Sequence, residues 1–220
     1  MIHQIFPHKI YHTNINKDKS FHKQILDEAK RTMDPDVPFE HGANVNYKGY
    51  TSVQKRFWTN SPTYGKEFKN PVFKEVFDFI DESADKFIKD LQIDTTYQQI
   101  KKTSAFLNFG NSTGSGLHDH EGALFSYTYY FHLEGTLPSL WFLSPIYNGP
   151  KGLFPWNALE YTCEWRHEYE CQPIVGDLFL FPAYLLHGTN EIKDVYNRWL
   201  FNGDYFVFSD NIPNFPPLTD

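Results

Sequence analysis

Cysteine is scarce in this chain, with two residues in 220, Cys163 and Cys171. So low a count leaves no disulfide scaffold to expect, and no cysteine framework for a structural zinc site, which closes four ligands around its ion. The pair could bridge a hairpin, but Met1-Ile2-His3-Gln4 runs straight into a strand-like segment with no export signal ahead of it. The chain therefore reads as cytoplasmic, with reduced thiols. It also lacks any apolar run of membrane-spanning length, so no membrane is expected. Positive charge is in deficit, with 20 Lys and Arg against 27 Asp and Glu and a net charge of −7. A general phosphate-binding surface is not indicated, and nucleic acid is not an expected partner. Repeats and low-complexity tracts are missing too.

Aromatic residues are plentiful, at 21 Phe, 14 Tyr and 5 Trp. They favour strands and can line cavities, and at this length they allow one domain, 1–220, with a substantial core. Residues 2–13 read as an irregular strand, confined by Pro7 to an edge or a bend. Asn16 or Asp18 is a candidate cap for a helix over about 20–32, where Phe21, Ile25, Leu26 and Ala29 recur at helical spacing. A polar, glycine-containing stretch covers about 34–66 and suits either a substrate loop or plain surface wrapping. Asn70-Pro71 opens a second helix through about residue 91, whose stripe of phenylalanines is a face for packing on a sheet. From Ile93 onward the pattern is short strands: 102–109, 124–132, 139–143, 161–164, 168–172, 177–181 and 198–208. Strands in succession, broken by glycine and proline turns, indicate an antiparallel sandwich or barrel. The expected architecture is α+β: a strand and supporting helices over 1–100, then a double-stranded barrel over 101–210.

Within that barrel, His118-Asp119-His120 and the distant His187 form the constellation with chemistry in it. Side chains two apart on a strand point to one side, so His118 and His120 can present two nitrogens together. Ten histidines make one such pair unsurprising by chance. The set is more specific: a turn-rich approach at 111–116 leads to His118, and His187 follows an apolar strand, 177–182, at a turn. Three histidines with open positions opposite suit iron or another first-row divalent metal. Asp119 and Glu121 fall on the other face of a regular strand and are not expected to ligate. His3, His8, His12, His22, His41, His132 and His167 lack partner spacing and are read as surface or core residues.

These residues resemble the iron(II)/2-oxoglutarate-dependent dioxygenases, in their prolyl-hydroxylase-like branch. The resemblance covers roughly 104–206. It is carried by Leu107-Asn108-Phe109, by His118-Asp119-His120 followed by 124–130, by 141–145, by the Gly176-to-Pro182 run ahead of His187, and by Arg198. It implies a double-stranded β-helix, a jelly-roll or cupin-like barrel buttressed by the N-terminal helices. It also implies Fe(II) held by His118, His120 and His187, and 2-oxoglutarate as co-substrate. Arg198 matches the arginine that pairs with the far carboxylate of 2-oxoglutarate, for which a planar guanidinium is suited. Tyr130 falls where a tyrosine hydroxyl meets the same carboxylate. The implied activity is hydroxylation of a C–H bond in a small-molecule or peptidyl substrate, with molecular oxygen consumed and succinate and carbon dioxide released. The chain departs from the family at His120, where aspartate is usual. Three neutral imidazoles leave a divalent ion with two net positive charges, which a dianionic co-substrate neutralises.

Two other readings stay open. One is a cupin-type three-histidine iron dioxygenase that needs no 2-oxoglutarate. The other is a non-catalytic β-barrel binding a small ligand. Taken singly, Arg198 reads better as a surface partner of Glu191 or Asp194, and Tyr130 as barrel filling; together with the histidines they read as site residues. Residues 34–66 and 147–156 are the expected substrate-contacting loops.

Overall fold

Strand residues alternate in character here, and the alternation decides which face meets which layer. The computed structural model describes residues 8–32, 49–51, 70–96, 99–102, 105–110, 115–143, 168–189 and 196–208. Its elements in chain order are β1 (Tyr11–Asn14), α1 (Lys19–Thr32), β2 (Gly49–Thr51), α2 (Lys74–Asp90), β3 (Gln99–Lys102) and β4 (Phe106–Gly110). Then come β5 (Phe125–Gly135), β6 (Leu140–Leu143), β7 (Glu168–Cys171), β8 (Asp177–Pro182), β9 (His187–Thr189) and β10 (Tyr196–Phe208). The large sheet has the order β1-β8-β5-β10-β4-β2, with β3 also pairing with β10, and the small sheet has the order β7-β6-β9. The expected α+β arrangement of antiparallel sheets is present.

On β5, Phe125, Tyr127, Tyr129 and Phe131 turn toward the helices and join a core with Ile25, Ala29, Val76, Ile80 and Phe87. Ser126, Thr128 and Tyr130 take the other face, and Tyr130 packs with Leu140, Phe142, Phe179, Phe181 and Leu200 between the sheets. β10 repeats the division, with Trp199, Phe201 and Tyr205 on the helix side. Both faces are covered, so every residue of β5 from Phe125 through Phe131 is buried. A bulge lies between Trp199 and Leu200, where Trp199 opposes His132 and Leu200 opposes Tyr130. The extra residue, Phe131, lets β5 change parity while β10 keeps its own.

Local chemistry accounts for the helix starts. Asp18 accepts the Phe21 N–H at 2.8 Å through Oδ1, so of the two candidate caps it is Asp18 that acts at α1. The second helix begins later than Asn70-Pro71 suggests. The Asn70 carbonyl and side-chain oxygens accept the Phe73 and Val72 N–H groups, forming a turn, and regular helix starts at Lys74. Its phenylalanines do pack on the sheet: Phe73 and Phe77 meet Phe201 at 4.9 and 5.1 Å between ring centroids, and Phe87 meets Phe125 at 5.6 Å. A polar tie supports them where Asp81 accepts from Lys102 at 2.8 Å and from the Tyr205 hydroxyl at 2.5 Å.

The expected strand 102–109 falls on two elements, β3 ending at Lys102 and β4 starting at Phe106. β2 sits inside the polar stretch 34–66, whose other residues lie outside the described ones. The expected strand 161–164, the loop 147–156 and Cys163 lie outside them as well, while Cys171 is a buried free thiol. No helix among the described residues is long and apolar enough to cross a membrane.

Phe201 is fully buried, with Phe73, Phe77 and Phe131 around it. Replacing it, Phe201→Ala, is expected to cost about 3–5 kcal/mol, read as a lower urea midpoint with an unchanged slope.

Candidate metal centre

The site begins with a backbone contact between two segments distant in sequence. His118 N–H donates to the His187 carbonyl, and His187 N–H to the His118 carbonyl, both at 2.9 Å. Residues paired this way across an antiparallel bridge place their side chains on one side, and the two ring centroids stand 4.5 Å apart. One turn of chain later the His120 N–H donates to the Ala183 carbonyl at 2.9 Å, just past the end of β8. The His120 ring centroid is 5.3 Å from that of His118 and 5.0 Å from that of His187. The strand expected through His118 and His120 is therefore not regular, because only His118 is bridged. The rings converge because separate sheets anchor them: His118 and His187 by the small one, His120 by the end of the large one. Asp119 and Glu121 are exposed and stand outside the cluster, as strand parity suggested.

Gly188 makes the bridge possible. A Cβ built there would lie 2.9 Å from the carbonyl oxygens of Ser115 and Gly116. The approach of 115–118 to β9 is closer than a side chain permits. Ser115 extends the contact, accepting the Thr189 N–H at 3.1 Å and donating its own N–H to Thr189 Oγ1 at 2.8 Å.

Hydrogen bonding assigns the ring tautomers. His118 Nδ1 is 2.8 Å from the Gly116 carbonyl, and His187 Nδ1 is 2.8 Å from the Leu185 carbonyl. A carbonyl oxygen only accepts, so both Nδ1 atoms carry hydrogen and both Nε2 atoms keep a lone pair. His120 Nδ1 lies 2.5 Å from Asp204 Oδ1, with Ser126 Oγ at 3.0 Å. A carboxylate oxygen likewise accepts, which leaves Nε2 of His120 free. One nitrogen from each histidine lies within 4.8 Å of the other two. Three imidazoles that gather one nitrogen apiece this closely suit a borderline divalent ion.

Burial disfavours protonation of two of the rings, His187 and His118. The His187 pKa is pushed down to about 3, chiefly by desolvation and then by the neighbouring His118 ring, against the Leu185 carbonyl that raises it. The His118 pKa is lowered for the same first reason, although its outer edge reaches solvent. Both are ready to bind metal at neutral pH without first losing a proton.

Arg198 is 4% exposed and therefore not a surface residue, while Glu191 and Asp194, its alternative partners, lie outside the described residues. Arg198 lies opposite Gly110 of β4 and Leu133 of β5, on the face of β10 that Leu200 shares with Tyr130. Tyr130 is 2% exposed. Burial raises its hydroxyl pKa, and the Arg198 charge and a Thr128 hydrogen bond partly offset that rise. The structure thus brings Tyr130 and Arg198 together in the interior between the sheets. Asn108 and Asn202, on paired strands of the same face, bury side-chain oxygens that have no hydrogen-bond partner. Such an interior is polar enough to receive a polar ligand, since buried unpartnered acceptors are costly otherwise. His132 turns the other way, toward Asn197 and Glu134.

Sequence reasoning overlooked Asp204, Ser126 and Gly188. The signal for Asp204 was parity: Arg198, Leu200, Asn202 and Asp204 share one face of a strand already recognised.

These features define a double-stranded antiparallel roll with a three-histidine pocket at the seam of its sheets. No family model matches the chain, and no curated protein does. Solved structures do match. The non-heme alpha ketoglutarate dependent epimerase SnoN from nogalamycin biosynthesis aligns with a TM-score of 0.59 at 12% identity, over 97% of this chain and 87% of that one. The same epimerase in complex with Fe3+, alpha ketoglutarate and nogalamycin RO gives 0.52 at 14% identity, over 97% and 90%. A prolyl hydroxylase from Trichoplax adhaerens, in complex with a hypoxia inducible factor peptide, gives 0.54 at 14% identity, over 90% and 83%. The chain therefore has the jelly-roll fold of these oxygenases, as its sequence implied.

Substituting Gly188→Ala is expected to force the 115–118 segment away from β9. Cobalt(II) affinity should fall by about tenfold or more, equivalent to about 1.4 kcal/mol, measured by titration followed in the visible spectrum. Acid should act on the metal-free protein through His187. Its folded pKa of about 3 lies below the ordinary 6.5, so below 6.5 the unfolded chain takes up a proton that the folded one refuses. Stability should be unaffected by this group above pH 6.5 and should fall progressively from there toward pH 3, as read by urea midpoints across pH.

Proposed function

We propose that the chain is an iron(II)- and 2-oxoglutarate-dependent oxygenase that hydroxylates a C–H bond of a small-molecule or peptidyl substrate. The observation that carries this reading is the set of three histidines, each with Nδ1 beside an acceptor and with one ring nitrogen apiece within 4.8 Å of the other two. His118, His120 and His187 would hold Fe(II), leaving the opposite face for co-substrate and oxygen. Bound there, iron with 2-oxoglutarate supplies an oxidant strong enough to hydroxylate a C–H bond, with succinate and carbon dioxide as co-products.

The protein's own part is to bind, orient and desolvate. Arg198 offers a buried guanidinium whose fork suits the far carboxylate of 2-oxoglutarate, and Tyr130 adds a hydroxyl donor beside it. Buried, the pair gains more from a carboxylate than it would in water. Phe142, Phe179 and Phe181 wall the same interior and exclude solvent. Neutral imidazoles leave the iron's two positive charges for a dianion to balance, which fits a dicarboxylic co-substrate. The likeness to SnoN and the prolyl hydroxylase supports the reading through its fold.

Anaerobic titration of the Fe(II)-loaded protein with 2-oxoglutarate tests it. A visible charge-transfer band should grow with 2-oxoglutarate. In Arg198→Ala the apparent affinity should fall by about 10–100-fold, the loss of about 1.5–3 kcal/mol expected for a hydrogen bond to a charged group. Bound iron without a band would favour the three-histidine dioxygenase that needs no 2-oxoglutarate. Protein that takes up no iron would end the oxygenase reading.

A further inference from the structure

We propose that Asp204 is a positioning residue for the metal centre: through His120 it fixes the ligating nitrogen and supplies the negative charge that three neutral imidazoles lack. The inference rests on the reading of His118, His120 and His187 as metal ligands. Its support is an asymmetry among them. His118 and His187 donate Nδ1–H to carbonyl oxygens, each at 2.8 Å. His120 donates to a carboxylate, at 2.5 Å. A charged acceptor binds the proton more strongly than a carbonyl does and pushes electron density onto the far nitrogen, making His120 Nε2 the most basic of the three.

Asp204 is placed for this task by the sheet. It lies on β10 directly opposite Ser126 of β5, so its position is set by the β5–β10 ladder rather than by a loop. Ser126 Oγ donates to the same Oδ1 at 2.7 Å and stands 3.0 Å from His120 Nδ1. This holds the carboxylate in one rotamer and closes a triangle on the imidazole. Asp204 is 3% exposed. A carboxylate that dry costs several kcal/mol unless hydrogen bonds and a nearby positive centre compensate it. A divalent ion on His120 Nε2 is such a centre, one imidazole away. The negative charge that no ligating atom carries therefore sits just behind His120.

The test compares wild type with Asp204→Asn, which keeps the shape and removes the charge. Cobalt(II) affinity, followed by the visible spectrum, should fall by 10–100-fold. The midpoint potential of bound iron should rise, because the lost charge stabilises Fe(III) more than Fe(II). A merely structural aspartate would leave the potential unmoved. Because Asp204 also holds Ser126, near-ultraviolet circular dichroism of the metal-free protein controls for folding in each measurement, and a second variant removes the ambiguity. In His120→Asp the new carboxylate would face Asp204, so adding Asp204→Asn should now improve metal binding instead of weakening it. That reversal of sign has no structural explanation apart from charge. Equal affinity and potential in wild type and Asp204→Asn, or losses that simply add in the double variant, would overturn the role of Asp204 while leaving the metal centre intact. A wild type that binds neither cobalt nor iron would instead overturn the metal centre, and this inference with it.

Discussion

The two hydrogen bonds between His118 and His187 hold the site together. They are backbone contacts, so they fix where the two Cα atoms stand before any ring is oriented. Everything local serves that bridge: Gly188 leaves room for it, and Ser115 and Thr189 extend it by a further rung. His120 then needs only one more anchor, the Ala183 carbonyl at the end of β8. A pocket assembled this way joins the sheets at the point where its ligands meet. Sliding one sheet over the other would separate His120 from its two partners.

The two faces of β5 and β10 divide the labour of the molecule. Toward the helices they present Phe125, Tyr127, Tyr129, Trp199 and Phe201, a dry aromatic layer that supplies the driving force for folding. Toward the interior they present Ser126, Thr128, Tyr130, Arg198, Asn202 and Asp204, which are poor at driving folding and good at holding a polar guest. Opposite charges occupy the two ends of that interior face, Asp204 near the histidines and Arg198 near Tyr130. Stability is concentrated on one side of the strands, so that the other side can afford buried polar groups.

Much of this was legible in the sequence because it depends on local pattern. The helix stripe around Val76, Phe77 and Ile80 does pack on the sheet, and the spacing of His118, His120 and His187 does mark one cluster. The parts that were not legible depend on partners far along the chain. Nothing near Gly188 reveals that Ser115 and Gly116 will press against it. The pairing of Asp204 with Ser126 needs the β5–β10 register, and the bulge at Phe131 shifts that register midway. For β5 itself, aromatic and polar residues alternate, but both faces are buried, so alternation could not separate outside from inside. His118 and His120 were expected on a regular strand, and they converge through two unrelated anchors instead.

Strand order has a consequence for synthesis of the protein. β10 lies between β5 and β4 and also pairs with β3, yet it is the last strand among the described residues. While the ribosome is still making residues before Tyr196, the aromatic flank of β5 has β8 on one side and an open edge on the other. Such an edge invites pairing with other chains, and long-range closure of this kind is slow. All three histidines emerge before β10 does. A nascent chain at that stage already carries all three histidines but not Asp204 behind His120. The hydrogen-bonded setting of His120 is therefore completed only when the sheet has closed.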